Sequence, residues 1–250
     1  IKYLRYEKNY SLHTEISYSK DLEQFCLFLE IHFPDITLPL VDADIIRLWV
    51  VSLMEEKNSA RTVNRKLSAL KSFYKYLQRI GEAGVNPTRR IVGPKATKPI
   101  PAFVTNADME HVLDDEVSND FESLRNKTIL ELFYVTGIRR AELLNIKDLD
   151  VDFASKVIQV VGKRNKQRII PISEQTVSLL QQYVAKRDAD VENLSGYLFV
   201  KNDGGQMYPM LIHRIVTIQL EGISTLSKTS PHVLRHSFAT GMLNGGADIN

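Results

Sequence analysis

Three strings decide the fold of this 250-residue chain: TGIRRAEL at residues 136–143, GK at 162–163 and SPHVLRHSFAT at 230–240. The first follows a stretch with helical periodicity and contains a Gly break before its arginines. The second lies in a turn between two runs rich in β-branched residues, and the third begins with Ser-Pro, a typical helix start. The strings therefore place cationic side chains at a helix break, a hairpin tip and the first turn of a helix.

The cations of these strings have the chemistry of a phosphate site. Arg139 and Arg235 offer paired donors to nonbridging phosphate oxygens, and a helix start adds backbone amides. His232 supplies proton transfer near neutral pH, and Lys163 near a phosphate can protonate a leaving alkoxide. The set predicts phosphoryl transfer without a metal. Glu142, three residues after Arg139, either orients that guanidinium or is a capping or surface acid.

Together the three strings resemble those of the tyrosine recombinases, closest to the Xer-type and integrase branch. The resemblance implies that Arg139 and Arg235 bind the phosphate and that Lys163 is the general acid. His232 is then the histidine one turn before the second arginine. The implied activity is site-specific recombination, in which double-stranded DNA is cleaved and rejoined through a 3'-phosphotyrosine intermediate.

The resemblance also implies an architecture and an assembly. A helical core-binding domain and a catalytic domain form a clamp around DNA, and the full-length parent acts as a homo-tetramer. The family places a further His or Trp, and then the nucleophilic tyrosine, beyond the segment that ends this sequence. We therefore expect a chain truncated before its nucleophile, which should not cleave DNA. A noncatalytic DNA-binding regulator and a type IB topoisomerase are the alternative functions.

Composition limits the other possibilities. The chain is 44% hydrophobic with a net charge of +2, enough apolar material for packed cores. No apolar run approaches the roughly 20 residues that span a bilayer, and the lone Cys26 excludes an intrachain disulfide, so we expect a cytoplasmic protein. No phosphate-loop or dinucleotide pattern is present, and we expect no cofactor. His232 and His236 are spaced as in a zinc helix, but the glutamate and third ligand of such sites are missing, so no metal is expected.

Charge is segregated along the chain. Residues 57–98 hold eleven lysines and arginines against one acid, Glu82. A helix predicted from Ser59 to Gly81 has one apolar and one basic face. The alternative is a solvated face whose counter-charges come from neighbouring helices. We expect DNA contacts from this basic helix and from the hairpin tip, at Arg61, Arg65, Lys71, Lys75, Arg79, Arg164 and Lys166.

The pattern as a whole predicts a mainly α protein with a small β-hairpin or sheet, an α+β fold in two domains. Prolines end the helical periodicity after Asn86, so we expect a core-binding domain at 1–97, a linker at 98–104 and a catalytic domain at 105–250. In the second domain, strands are expected at 156–161, 168–172 and 197–200. The last helix should begin near Pro231.

Overall fold

The computed structural model describes residues 2–97, 103–114, 120–162, 165–193, 195–221, 223, 229–244 and 246. The fold is mostly helical with one small antiparallel sheet, which confirms the predicted fold class. The chain divides into two compact units, residues 1–99 and 100–250. Most of the expected linker, residues 98–102, lies outside the described residues. None of the described helices is both long and apolar enough to cross a membrane.

The part of the first unit that the structure describes forms four α-helices and one short 3-10 turn at Leu38–Leu40. The helices are α1 (Lys2–Tyr6), α2 (Leu12–His32), α3 (Ala43–Glu55) and α4 (Ala60–Arg79). Side-chain caps fix where the longer helices begin: Ser11, Asp42 and Ser59 each accept a hydrogen bond from a backbone N–H of the first turn. The helix start predicted at Ser59 is present.

Apolar stripes on α2, α3 and α4 meet in the core of this unit. The rings of Phe25 and Trp49 lie 4.9 Å apart in an edge-on arrangement, and both side chains are buried. Tyr74 is also buried and donates its hydroxyl to the Leu38 carbonyl at 2.9 Å. The predicted helical periodicity therefore corresponds to real packing.

A buried ion cluster joins α2 to α4. Asp21 is 2% exposed and accepts from the Lys66 ammonium at 3.2 Å, while Lys66 also donates to Gln24. The second carboxylate oxygen of Asp21 pairs with Arg65, whose guanidinium also donates to Ser17 at 2.5 Å. Lys66 is itself buried, so its pairing with Asp21 offsets the cost of removing the ammonium group from water.

Asp21→Asn should destabilise the first unit by about 2–3 kcal/mol, because it leaves the buried Lys66 charge without a counter-ion. The measurement is urea denaturation followed by the fluorescence of Trp49, the only tryptophan in the sequence and a core residue of this unit. The control is Asp44→Asn, since Asp44 pairs with Arg47 on the surface and should cost no more than about 0.5 kcal/mol. Equal losses in the two variants would contradict a structural role for the buried cluster.

The described residues of the second unit form six α-helices, three strands and one 3-10 turn at Asp148–Asp150. The helices are α5 (Asn106–Asp114), α6 (Phe121–Thr136), α7 (Arg140–Leu144), α8 (Glu174–Asp190), α9 (Pro209–Leu220) and α10 (Pro231–Asn244). The strands are β1 (Val151–Asp152), β2 (Val157–Val161) and β3 (Gln167–Pro171), in the antiparallel order β1-β2-β3. The predicted hairpin and the predicted start of the last helix are both present, whereas β1 was not expected.

The strand predicted at 197–200 is wrong. Tyr197 and Val200 form only isolated bridges, to Lys147 and Gln206. The carbonyls of this segment are instead occupied by side chains: Tyr183 and Arg187 each donate to Leu198 O at 2.9 Å, and Arg125 donates to Val200 O at 3.3 Å. Because these buried side chains already donate to the carbonyls, the segment does not form a ladder of backbone hydrogen bonds with a neighbouring strand.

Candidate active site

The first predicted phosphate arginine lies immediately after a sharp helix end. α6 stops at Thr136, and Gly137 adopts the left-handed conformation with φ 55° while its N–H donates to Phe133 O at 3.1 Å. The Thr136 hydroxyl accepts from the Ile138 N–H at 3.2 Å and fixes the next peptide. Arg139 then becomes the N-cap of α7. The glycine turn thus determines where the Arg139 backbone lies.

Glu142 holds Arg139 in two ways. One carboxylate oxygen, Oε2, accepts from the Arg139 backbone N–H at 2.9 Å, and the other, Oε1, accepts from the guanidinium Nη1 at 2.7 Å. The Glu142 side chain is 2% exposed, whereas that of Arg139 is 48% exposed. Glu142 is therefore a buried group that both caps α7 and pairs with the guanidinium, which leaves the surface-acid reading without support.

A second arginine, Arg168 on β3, reaches the same carboxylate. Its Nη2 lies 2.8 Å from Glu142 Oε2. Burial by itself would raise the pKa of Glu142, but hydrogen bonds from the Arg139 backbone and from both guanidiniums outweigh it and lower that pKa. Glu142 is consequently an anion at neutral pH.

Arg235 reaches the cluster from α10. Its Nη1 donates to the carbonyl of Gly137, so α10 is tied to the turn that precedes Arg139. Burial lowers the pKa of Arg235, and repulsion from Arg139 and Arg168 lowers it further. Three guanidiniums from separate elements are therefore close enough to influence one another.

The hairpin loop begins against this cluster. A Cβ placed on Gly162, at the end of β2, would lie 3.2 Å from Glu142 Oε1 and 4.0 Å from Arg139 Nη1. The Gly162 N–H donates to Lys166 O at 2.7 Å and closes the loop. Lys163 and Arg164 lie outside the described residues.

His232 lies in the first turn of α10, one turn before Arg235, and is exposed. The position of α10 is fixed by Ser237, whose hydroxyl accepts from the Val104 N–H at 2.7 Å and donates to Val233 O at 3.0 Å. Among the described residues, no three His, Cys, Asp or Glu side chains gather as a metal site would require.

The predicted DNA-contact residues divide into two groups. Arg65 is paired with Asp21, and Arg79 lies 2.5 Å from Glu7, so part of the charge on α4 is balanced within the first unit. The other described members are exposed and form no ion pair with any described residue. They are Arg61, Lys71 and Lys75 on α4 and Lys166 in the hairpin loop.

The arrangement can bind an oxyanion. Arg139 and Arg168 share the carboxylate of Glu142, and Arg235 lies close enough to interact electrostatically with all three, so the four groups together carry a formal charge of +2. Guanidiniums from α7, β3 and α10 present donors in fixed directions, and phosphate oxygens accept such donors in pairs.

Sequence reasoning missed Arg168. A signal for it exists in the strand pattern: Arg168 is in phase with Ile170 and pairs with the buried Val160, so it lies on the inward side of the sheet. A charge in phase with core residues requires a partner, and Glu142 is that partner.

Comparisons with known proteins give the family. The model of the phage integrase family matches residues 103–250, and the model of the N-terminal SAM-like domain of phage integrases matches residues 1–81. The chain therefore belongs to the phage integrase family of tyrosine recombinases, which are site-specific DNA recombinases.

Among individual proteins, the chain is similar to XerC recombinases. The chain is 37% identical to tyrosine recombinase XerC of Staphylococcus saprophyticus over 248 residues, which covers 98% of this chain and 82% of that protein. It is 34% identical to XerC of Halalkalibacterium halodurans over 254 residues, with 99% and 83% covered.

Solved structures support the fold. The Tn1549 transposon integrase in complex with transposon right end DNA matches with a TM-score of 0.79 at 20% identity, covering 99% of this chain and 86% of that chain. XerH recombinase bound to palindromic difH substrate matches with a TM-score of 0.77 at 21% identity, covering 96% and 72%.

Gly137→Ala should destabilise the second unit by about 3 kcal/mol or more, because a methyl group adds a clash to the cost of a left-handed φ. The new Cβ would lie 2.3 Å from Cδ1 of Phe238. The measurement is urea denaturation followed by far-UV circular dichroism.

The matched control is Gly196→Ala. Gly196 also has a positive φ, 67°, but apart from its chain neighbours no atom of the described residues lies within 4 Å of its Cβ position, so only strain of about 1 kcal/mol is expected. In a Phe238→Ala background, the cost of Gly137→Ala should fall toward that value. If the cost stays the same there, contact with Phe238 is not its cause.

Proposed function

We propose that the cluster of Arg139, Arg168 and Arg235 is where this recombinase binds the scissile phosphate of double-stranded DNA. The observation that carries the proposal is the unbalanced charge: Arg139 and Arg168 pair with one buried carboxylate, that of Glu142, and Arg235 interacts electrostatically with both arginines. Elsewhere among the described residues of this unit, the buried Arg187 faces two carboxylates and the buried Arg125 faces one. A phosphodiester supplies the missing negative charge.

The roles of individual residues follow from this placement. Arg139 and Arg235 donate to the nonbridging oxygens and stabilise the charge that builds up in a phosphorane-like transition state. His232, exposed one turn before Arg235, transfers a proton near the phosphate. Lys163, next to Gly162 in the chain, protonates the leaving oxygen. Glu142 orients Arg139, and neither a metal nor a cofactor takes part.

DNA contacts outside the site come from exposed cations. Arg61, Lys71 and Lys75 on α4 are free of ion pairs among the described residues, as is Lys166 in the hairpin loop. Arg164 is assigned to the same group from its position in the sequence. Arg65 and Arg79 contact DNA only through donors that Asp21 and Glu7 leave unused.

The assembly we propose is that of the family. A core-binding domain at 1–97 and a catalytic domain at 105–250, joined by a linker at 98–104, close on DNA as a clamp. The full-length parent works as a homo-tetramer on its site, in the cytoplasm. Support comes from the two family models that match separate parts of the chain.

We place the nucleophilic tyrosine outside residues 1–250. In the family it follows the second arginine, and residues 236–250 contain no tyrosine. Tyr183, one of the tyrosines of the second unit, is buried and donates its hydroxyl to Leu198 O at 2.9 Å. The competing function, a noncatalytic DNA-binding regulator, predicts binding without cleavage even when a tyrosine segment is supplied.

Replacing Arg61, Lys71 and Lys75 by Ala should weaken DNA binding and flatten its salt dependence. Each lost phosphate contact changes the slope of log K against log salt by about 0.9. The measurement is fluorescence anisotropy of a labelled duplex of mixed sequence at several salt concentrations.

The matched control removes the same charge from other elements of the first unit, with Lys8, Lys20 and Arg47 replaced by Ala. All three side chains are exposed. If both triple variants change the slope equally, the α4 face has no special part in DNA binding and only net charge matters.

The 250-residue chain should form no covalent complex with DNA, because the arginine cluster cannot replace an attacking hydroxyl. Appending the tyrosine-bearing carboxyl-terminal segment of S. saprophyticus XerC should produce a denaturant-resistant complex on nicked duplexes from a randomised pool. In that extended protein, Arg139→Ala and Arg235→Ala should each reduce the complex by about 100-fold or more.

The control for charge loss is Arg140→Ala, since Arg140 is exposed and, among the described residues, its side chain hydrogen-bonds only to Pro209 O, at 3.5 Å. It should leave the yield of complex within about two-fold. A covalent complex with the 250-residue chain itself would show that one of its own tyrosines attacks. Binding by the extended protein with no complex on any duplex would favour the regulator.

A further inference from the structure

Arg168 is placed so that only part of its guanidinium is used within the fold. Nη2 donates to Glu142 Oε2, while Nε and Nη1 make no hydrogen bond to any described residue. The side chain is 41% exposed, close to the 48% of Arg139. Both arginines therefore combine one buried contact with exposed donors.

The hydrogen bonds that Glu142 accepts show how Arg168 affects the pairing of Arg139 with that carboxylate. A carboxylate that faces one arginine tends to form two parallel hydrogen bonds with it. Here Oε2 already accepts from the Arg139 backbone N–H and from Arg168, so the Arg139 side chain donates only to Oε1, through Nη1. The remaining guanidinium donors of Arg139 stay available to a ligand.

We propose that Arg168 is a positioning residue of the phosphate site, which acts through Glu142 to keep Arg139 donors free and adds its charge to the site. The inference rests on the proposed phosphate-binding function. It extends that function to a residue on β3 that none of the three sequence strings contains.

Charge gives the second part of the argument. With Arg168, three cations face one carboxylate; without it, Arg139 and Arg235 face the same carboxylate and the formal charge falls from +2 to +1. Repulsion from Arg168 is felt at Arg235, so the two guanidiniums share one electrostatic environment. An oxyanion at Arg139 and Arg235 would relieve that repulsion.

A purely structural role predicts something different. Arg168 also ties β3 to α7, and loss of that tie would lower stability without any specific effect on anion binding. The two roles are separated by measuring both properties in the same variants.

The experiment uses the 250-residue chain and inorganic phosphate as the probe. Nitrogen-15 NMR of the arginine Nε–H groups follows Arg139 and Arg235 as phosphate is added, and thermal unfolding is recorded for each protein. The variants are Arg168→Gln, Arg168→Lys, Glu142→Gln and the double variant Arg168→Gln with Glu142→Gln. Arg140→Gln is the matched control, since it removes the same charge at the residue that follows Arg139 in the chain.

Arg168→Gln should weaken phosphate binding about five-fold, while Arg140→Gln should change it less than about two-fold. Arg168→Lys should recover much of the loss, because it restores the charge and one donor to Glu142. In the Glu142→Gln background, Arg168→Gln should have a smaller effect than in the native protein.

The results that would contradict the phosphate site differ from those that would contradict the role of Arg168. If phosphate shifts neither Arg139 nor Arg235 in the native chain, the proposed phosphate site is wrong and the inference falls with it. If phosphate binds but Arg168→Gln behaves like Arg140→Gln, or lowers only the melting temperature, Arg168 is structural. An equal effect of Arg168→Gln with and without Glu142 would rule out action through that carboxylate.

Discussion

The carboxylate of Glu142 is the point on which the second unit's site depends. A buried carboxylate is stable only when hydrogen-bonded and paired with positive charge, and Glu142 meets that requirement with three donors from Arg139 and Arg168. Those donors bring the start of α7 and the start of β3 together, and Gly162 lets β2 pass beside them because a side chain there would crowd Glu142. One anion thus sets the geometry of several cations.

The buried arginine Arg187, which stabilises the fold, differs in its charge balance from Arg235 of the proposed phosphate site. Arg187 is buried and faces two carboxylates, Asp148 at 2.7 Å and Asp188 at 2.8 Å. Burial by itself would lower the pKa of Arg187, but hydrogen bonds to these acids reverse the shift and raise it. Arg235 donates to a carbonyl instead, and burial together with neighbouring guanidiniums lowers its pKa. The first arginine is balanced by acids within the fold, whereas the second pairs with no carboxylate among the described residues.

Charge balance also divides the basic residues of α4 into two groups. From the sequence, its basic residues form one face suited to DNA, with internal counter-charges as the alternative. Both descriptions apply, to different residues: Arg65 pairs with a buried aspartate and Arg79 with Glu7, whereas Lys71 and Lys75 have no acidic partner among the described residues. Which cations remain for DNA depends on where α2 and the chain before it lie, and helical periodicity carries no information on that.

The sequence by itself determined the helices, the β2–β3 hairpin and the family, because periodicity, capping residues and short motifs are local properties. It also predicted Arg139, His232 and Arg235 as site residues, because they lie in those motifs. Only the tertiary structure decided that residues 197–200 give their carbonyls to buried side chains rather than to a strand, and that Glu142 is shared by two arginines. Arg168 went unnoticed for the same reason: its partner is 26 residues away in the chain, and only the packing of β3 against α7 brings the two charges within hydrogen-bonding distance.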